Sequence, residues 1–180
     1  MNEDIEKILI TEEELRNRVA ELGRQITEDY KGKEILIIGV LRGAFVFMAD
    51  LARNIDLPMS VDFMCVSSYG SGTTTSGSVK ILKDLDEDIE GKHVIIAEDI
   101  LDSGVTLSNL MELLEKRKPA SIKIASLLDK PARHRTQLKL DYCGFVIPDE
   151  FIVGYGLDYD QKYRNLPYIG ILKSSVYSEK

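Results

Sequence analysis

Two periodicities alternate along the chain. Residues 11–30 place Leu15, Val19, Leu22 and Ile26 on one face of a helix, the spacing of an amphipathic segment packed on a core. Thr11 and Glu14 stand at capping-box spacing at its start, and Lys31-Gly32-Lys33 ends it. The run Ile35-Leu36-Ile37-Ile38-Gly39-Val40 is apolar throughout, which reads as a strand buried on both faces. Leu41-Arg42-Gly43-Ala44 then makes a turn into a helix predicted to reach about Arg53.

The cycle repeats. Ser60 to Val66 reads as a strand, and Val79–Lys83 with the acidic 84–90 turn leads to a further buried strand at Val94-Ile95-Ile96-Ala97. Leu107, Leu110, Met111 and Leu114 share a helix face, and Lys116-Arg117-Lys118-Pro119 stops that helix. Ser121 to Leu128 is the next strand. Short strands are predicted at Asp141–Ile147 and Phe151–Gly154, and a last one at Ile169–Leu172, after which the chain is expected to fray. Alternating strands and helices predict an α/β fold, a mostly parallel twisted sheet flanked by helices. With 180 residues, a single domain over 1–180 is expected.

Composition narrows the function classes. Hydrophobic residues make up 44% and charged residues 29%, as in a soluble globular protein. A net charge of −7 and a pI of about 5.0 argue against a dedicated nucleic-acid binder, whose footprint is basic. No apolar run approaches the ~20 residues of a membrane span. The acidic M-N-E-D-I-E-K start lacks a signal-peptide region, so a cytoplasmic location is expected. Cys65 and Cys143 form no C-x-x-C or Cys/His spacing and read as reduced thiols. Neither His93 nor His134 has a partner that suggests a triad, and no G-x-x-x-x-G-K-[ST] string is present.

The chemistry concentrates in H-V-I-I-A-E-D-I-L-D-S-G-V-T-L, residues 93–107. Glu98 and Asp99 stand where the apolar strand should end; Asp102, Ser103, Gly104, Val105 and Thr106 precede the helix. Unpaired N–H groups and the helix dipole make such a helix start a phosphate cradle. The Ser103 and Thr106 hydroxyls add donors, and Gly104 permits close approach. Two adjacent carboxylates repel a phosphate. They suit paired ribose hydroxyls, or a magnesium ion bound together with such hydroxyls. A ribose 5-phosphate satisfies both halves. The Leu41-Arg42-Gly43 turn, with a cation and a glycine, suits a second anion.

The string A-E-D-I-L-D-S-G-V-T resembles the 5-phosphoribosyl-1-pyrophosphate (PRPP) motif of the type I phosphoribosyltransferases. With the tail V-G-Y-G-L-D-Y-D-Q-K-Y-R-N-L-P, the likeness narrows to their bacterial hypoxanthine-guanine branch and covers most of the chain. The resemblance implies the type I fold with a small hood built from N-terminal residues and C-terminal strands. It implies transfer of a phosphoribosyl group from PRPP to hypoxanthine or guanine, with Mg²⁺ as cofactor. Asp102 would be the general base. Leu41-Arg42-Gly43 would be the pyrophosphate loop, where the family often has Leu-Lys-Gly and holds an unusual cis peptide, and Arg164 would bind pyrophosphate too. Residues 67–78 would be a mobile lid, with Ser68 and Tyr69 closing over the site. Lys130 would bond the purine 6-oxo group, Phe151 would stack on the base and Ile152 would read its edge through the main chain. Glu98 and Asp99 would meet the metal, and Asp158 would hold it directly or through water. Taken singly, Lys130 would be a surface lysine and Phe151 and Ile152 core residues.

Other readings share the motif. A PRPP-sensing regulator would keep the loop without transfer, but should carry a basic face or an added DNA-binding domain. A transferase preferring xanthine has the same chemistry, whereas Lys130 argues against adenine. Homodimers or homotetramers are expected from the family.

Overall fold

The computed structural model describes residues 1–68 and 79–178. A short turn at Asn2–Asp4 leads into β1 (Ile5–Ile10), α1 (Glu12–Asp29), β2 (Ile35–Leu41), α2 (Phe45–Arg53), β3 (Met59–Ser68) and β4 (Val79–Lys83). Then come β5 (His93–Leu101), α3 (Val105–Glu115), β6 (Ser121–Asp129) and β7 (Tyr142–Val146). The chain closes through β8 (Ile152–Val153), β9 (Ile169–Leu172) and α4 (Ser174–Tyr177). The capping box is formed: Glu14 N donates to Thr11 Oγ1 at 3.2 Å, and Thr11 N donates to Glu14 Oε2 at 2.8 Å.

Among the described residues, the main sheet has the order β4-β3-β2-β5-β6-β7. All its pairings are parallel except that of β4 on β3. A smaller antiparallel sheet, β1-β9-β8, forms the hood. The apolar run of β2 is divided between two cores. Ile35 and Ile37 pack with Leu15, Leu22 and Ile26 of α1 and Phe47 and Leu51 of α2. Leu36, Ile38 and Val40 pack with Leu107, Leu110 and Leu114 of α3. Alternate side chains of one strand thus face opposite helical layers, which is why the run is apolar without interruption.

This topology places the site. From β2 the chain runs through α2 to β3 on one side; from β5 it runs through α3 to β6 on the other. The central pair β2–β5 is therefore the switch point, where ligands of open α/β sheets bind beyond the carboxyl ends of the strands. No described helix is long and apolar enough to cross a membrane.

Four elements differ from the sequence expectation. β5 continues through Glu98 and Asp99 to Leu101, because β6 keeps pairing with it, Ile100 opposite Leu128 and Leu101 opposite Asp129. β1 is a strand that local pattern did not indicate; its pairing with β9 carries two register shifts and is set by the partner. β8 spans only Ile152–Val153. Residues 174–177 form a helical turn where fraying was expected.

Candidate active site

Parallel pairing of β2 with β5 sets Gly39 opposite Ala97, which brings the turn after β2 level with the acids near the end of β5. The Leu41–Arg42 peptide in that turn is cis. A β-carbon on Gly43 would stand 1.6 Å from Asp99 Oδ2. Only a glycine lets the turn lie against the carboxylate.

Glu98 and Asp99 are half-buried side by side. Burial raises the Glu98 pKa well above the usual carboxylate range, and the neighbouring Asp99 charge raises it further. Asp99 is also raised by burial, opposed by the Ile100 N–H that donates to its Oδ1 at 2.7 Å and by the Arg164 charge. Burial and mutual repulsion thus disfavour two full charges on the pair. A hard cation favours the opposite, fully ionised state. Among the described residues no group of three or more His, Cys, Asp or Glu side chains forms a metal cage. Two adjacent carboxylates suit a hard cation such as magnesium, which takes one or two carboxylates and completes its shell with water and substrate oxygens. Asp158 does not join Glu98 and Asp99 in one cluster; it bonds Arg164 Nη2 at 3.0 Å and the Gln161 N–H at 2.9 Å.

Across the switch point, Gly104 has a φ of +78° and starts α3 without a capping side chain. The side chain of Ser103 accepts from Val105 N at 3.4 Å. Arg135 N donates to Ser103 O at 2.9 Å, and a β-carbon on Gly104 would meet Thr136 Oγ1 at 2.4 Å. The segment after β6 thus braces this loop from behind. Asp102 is exposed, and Thr106 is half-buried in the first turn of α3. Backbone N–H groups at a helix start, with two hydroxyls beside them, make an anion cradle.

The stretch from Gly154 to Leu166 brings a second cation. Gly154, Tyr155 and Gly156 all have positive φ, at +101°, +49° and +102°. Tyr155 N donates to Leu166 O and Gly156 N donates to Arg164 O, both at 2.9 Å, so this stretch folds back on itself. A β-carbon on Gly156 would stand 2.2 Å from Gly43 O. This close contact sets Arg164 beside the turn after β2. Arg164 Nη1 donates to Gly156 O at 2.7 Å. Gln161 Oε1 accepts from Arg42 Nη1 at 2.9 Å and from Arg164 Nη2 at 3.3 Å, joining the two guanidiniums. The sequence reading missed Gln161; a lone glutamine in a loop carries no signal until its φ of +63° turns it between two arginines.

Lys130, Glu150 and Phe151 meet on a third side. Lys130 is 8% exposed, and its Nζ donates to Glu150 O at 2.8 Å and lies 4.0 Å from Asp149 Oδ1. Lys130 is thus a largely buried lysine. Phe151 is 39% exposed, whereas Ile152 is buried and pairs with Ile171. Tyr69 and residues 70–78 of the expected lid, and the Ser68 side chain, lie outside the described residues.

The phosphoribosyl transferase domain family matches residues 7–160. The chain belongs to that family. It is 56% identical to the hypoxanthine-guanine phosphoribosyltransferase of Bacillus subtilis over 98% of both chains. It is 55% identical to the bifunctional protein TilS/HprT of Listeria monocytogenes over 99% of this chain, and spans 28% of that longer relative. The hypoxanthine phosphoribosyltransferase structure from Staphylococcus aureus superposes with a TM-score of 0.95 at 52% identity, covering 98% of this chain and 96% of the other. The two strand-end loops lie at the switch point, where open α/β sheets bind their ligands.

Proposed function

We infer that this chain transfers the 5-phosphoribosyl group of PRPP to a 6-oxopurine, hypoxanthine or guanine, giving IMP or GMP and pyrophosphate. The observation that carries the reading is the convergence at one switch point of an uncapped helix start, a carboxylate pair and two arginines. Each suits a different part of PRPP. The high identity to a hypoxanthine-guanine enzyme over both full lengths supports the choice of base.

The N–H groups of Ser103 to Thr106, with the Ser103 and Thr106 hydroxyls, hold the 5-phosphate. Glu98 and Asp99 hold the ribose hydroxyls, either directly or together with magnesium. Arg42, Gly43 and Arg164 take the pyrophosphate, guanidinium groups being matched to phosphate oxygens. Phe151 stacks on the purine, Lys130 donates to its 6-oxo oxygen, and the Ile152 main chain reads its edge. The purine N9 bonds to the ribose C1 as the C1–oxygen bond to pyrophosphate breaks, and positive charge develops on the ribose. Asp102 accepts the proton that leaves N7. Glu98 and Asp99 would hold magnesium, with Asp158 reaching it directly or through water, and the ion would neutralise charge on the departing pyrophosphate.

The enzyme works in the cytoplasm as a homodimer or homotetramer.

The test is an assay with PRPP, with and without magnesium, offering hypoxanthine, guanine, xanthine and adenine separately. Nucleotide and pyrophosphate from hypoxanthine or guanine, only with magnesium, is the expected result. Preference for xanthine would revise the base. PRPP binding with no product from any base would replace the enzyme by a PRPP sensor.

A further inference from the structure

Phe151 does not stand alone. The Tyr177 ring of α4 stacks on it, with centroids 4.7 Å apart and planes 19° from parallel. Tyr159 meets the Phe151 ring edge-on at 5.5 Å and 86°, and lies 6.4 Å from Tyr177. Three rings thus form one cluster on the hood.

The side on which Tyr177 lies is fixed by its neighbours. Tyr177, Val176 and Tyr159 pack with Val153, Tyr163, Leu166 and Leu172, a cluster separate from the core that holds Ile152. The short helix is anchored at its start, since Leu172 N donates to Phe151 O at 2.8 Å and Lys173 N to Asp4 O at 2.9 Å. Tyr177 therefore covers one face of Phe151 with a side chain held by packing. Phe151 keeps 39% of its surface exposed, so part of the residue stays within reach of a ligand. The residue before it, Glu150, holds Lys130 through its carbonyl at 2.8 Å.

We propose that Tyr177 is a positioning residue for the purine, holding the Phe151 ring as a backed plate on which the base stacks. The inference rests on the reading of Phe151 as the base-stacking residue. A half-exposed phenylalanine would otherwise lose rotamer freedom when the base arrives, and stacking would have to offset that cost. Tyr177 meets the cost during folding, so the base meets a preorganised surface. Aromatic pairs in this arrangement attract beyond their buried area. Tyr177 touches no reacting atom; its effect reaches the base only through Phe151.

The experiment compares Tyr177→Ala, Tyr177→Leu and Tyr177→Phe with the parent for KM of hypoxanthine, KM of PRPP, kcat and Tm. Loss of the ring should raise the hypoxanthine KM about threefold to tenfold, the cost of ordering one side chain on binding. The PRPP KM should stay within about twofold of the parent by the same arithmetic, and Tyr177→Phe should behave like the parent. The leucine variant keeps the apolar packing of α4 and carries the same test should the alanine variant not fold. An unchanged hypoxanthine KM in an active ringless variant would overturn the inference. A lowered hypoxanthine KM would overturn it too, by assigning Tyr177 to the place of the base. So would an equal rise in both KM values, or a phenylalanine variant as impaired as leucine. A parent protein inactive with every base would instead remove the functional reading, and this inference with it.

Discussion

Gly43 lies directly against Asp99: a β-carbon at position 43 would overlap the carboxylate, 1.6 Å from Oδ2 and 2.6 Å from Cγ. The contact joins the turn after β2 to the acidic end of β5. It ties the proposed pyrophosphate side of the site to the ribose side. Gly43→Ala should therefore push Asp99 out of place while leaving the sheet intact. The expected result is a PRPP KM raised at least about tenfold, with a stability loss of ~1–3 kcal/mol, the usual cost of overpacking. Steady-state kinetics and urea unfolding measure the two effects separately, and a near-parental PRPP KM would show that Asp99 can swing aside freely.

Asp102 is exposed on the loop before α3, so its replacement should cost function rather than fold. Asp102→Asn is expected to lower kcat by ~10²–10⁴, the range for a general acid–base group, with Tm unchanged. Turnover equal to the parent would take Asp102 out of the proton transfer.

Gln161 joins Arg42 and Arg164 through one oxygen. Without that acceptor the two guanidiniums repel each other and lose their shared orientation. Gln161→Ala should raise the PRPP KM several-fold, on the order of the ~0.5–1.5 kcal/mol of a net hydrogen bond, and leave the hypoxanthine KM alone. Equal effects on both substrates would point to a general loosening of residues 154–166 instead.

Two buried phenols make the fold sensitive to alkali. Tyr142 is 2% exposed and its hydroxyl donates to Asp29 Oδ2 at 2.6 Å. The Tyr155 hydroxyl donates to Asp50 Oδ2 at 2.5 Å. Burial raises both pKa values far above the ordinary tyrosine value, and the partner carboxylates raise them further. Above about pH 10 the unfolded chain releases these protons while the folded chain keeps them. The folded state then binds more protons, so stability is full below about pH 10 and falls as pH rises beyond it. Urea midpoints between pH 8 and pH 11 should drop for the parent, and drop less for Tyr142→Phe with Tyr155→Phe. Equal slopes in the parent and the double variant would assign the alkaline loss to other groups.

Legibility differed by element. The helix at 12–29 and the strand at 35–41 were readable because capping chemistry and burial on both faces leave strong local patterns. The loop from Asp102 to Thr106 stood out because small and hydroxyl residues in order before a helix are a local pattern, and the structure starts α3 there at Gly104. β1 was not, since its pairing is irregular and depends on β9, more than 150 residues away. Gln161 and Tyr177 were not, because an amide in a loop and a tyrosine near the end of the chain acquire a role only from what packs beside them.

By itself, then, the sequence determined the alternating α/β order and the ordered run of acids, small residues and hydroxyls from Glu98 to Thr106. These depend on local periodicity and on residue types in series. Only the tertiary structure decided that Gly43 meets Asp99, that Gly156 closes on the Gly43 carbonyl, that Gln161 joins two arginines and that Tyr177 backs Phe151. Each of these joins residues distant in sequence or turned by positive-φ backbone. Their energies come from close packing and paired polar groups, which exist only once the strands and the hood have come together.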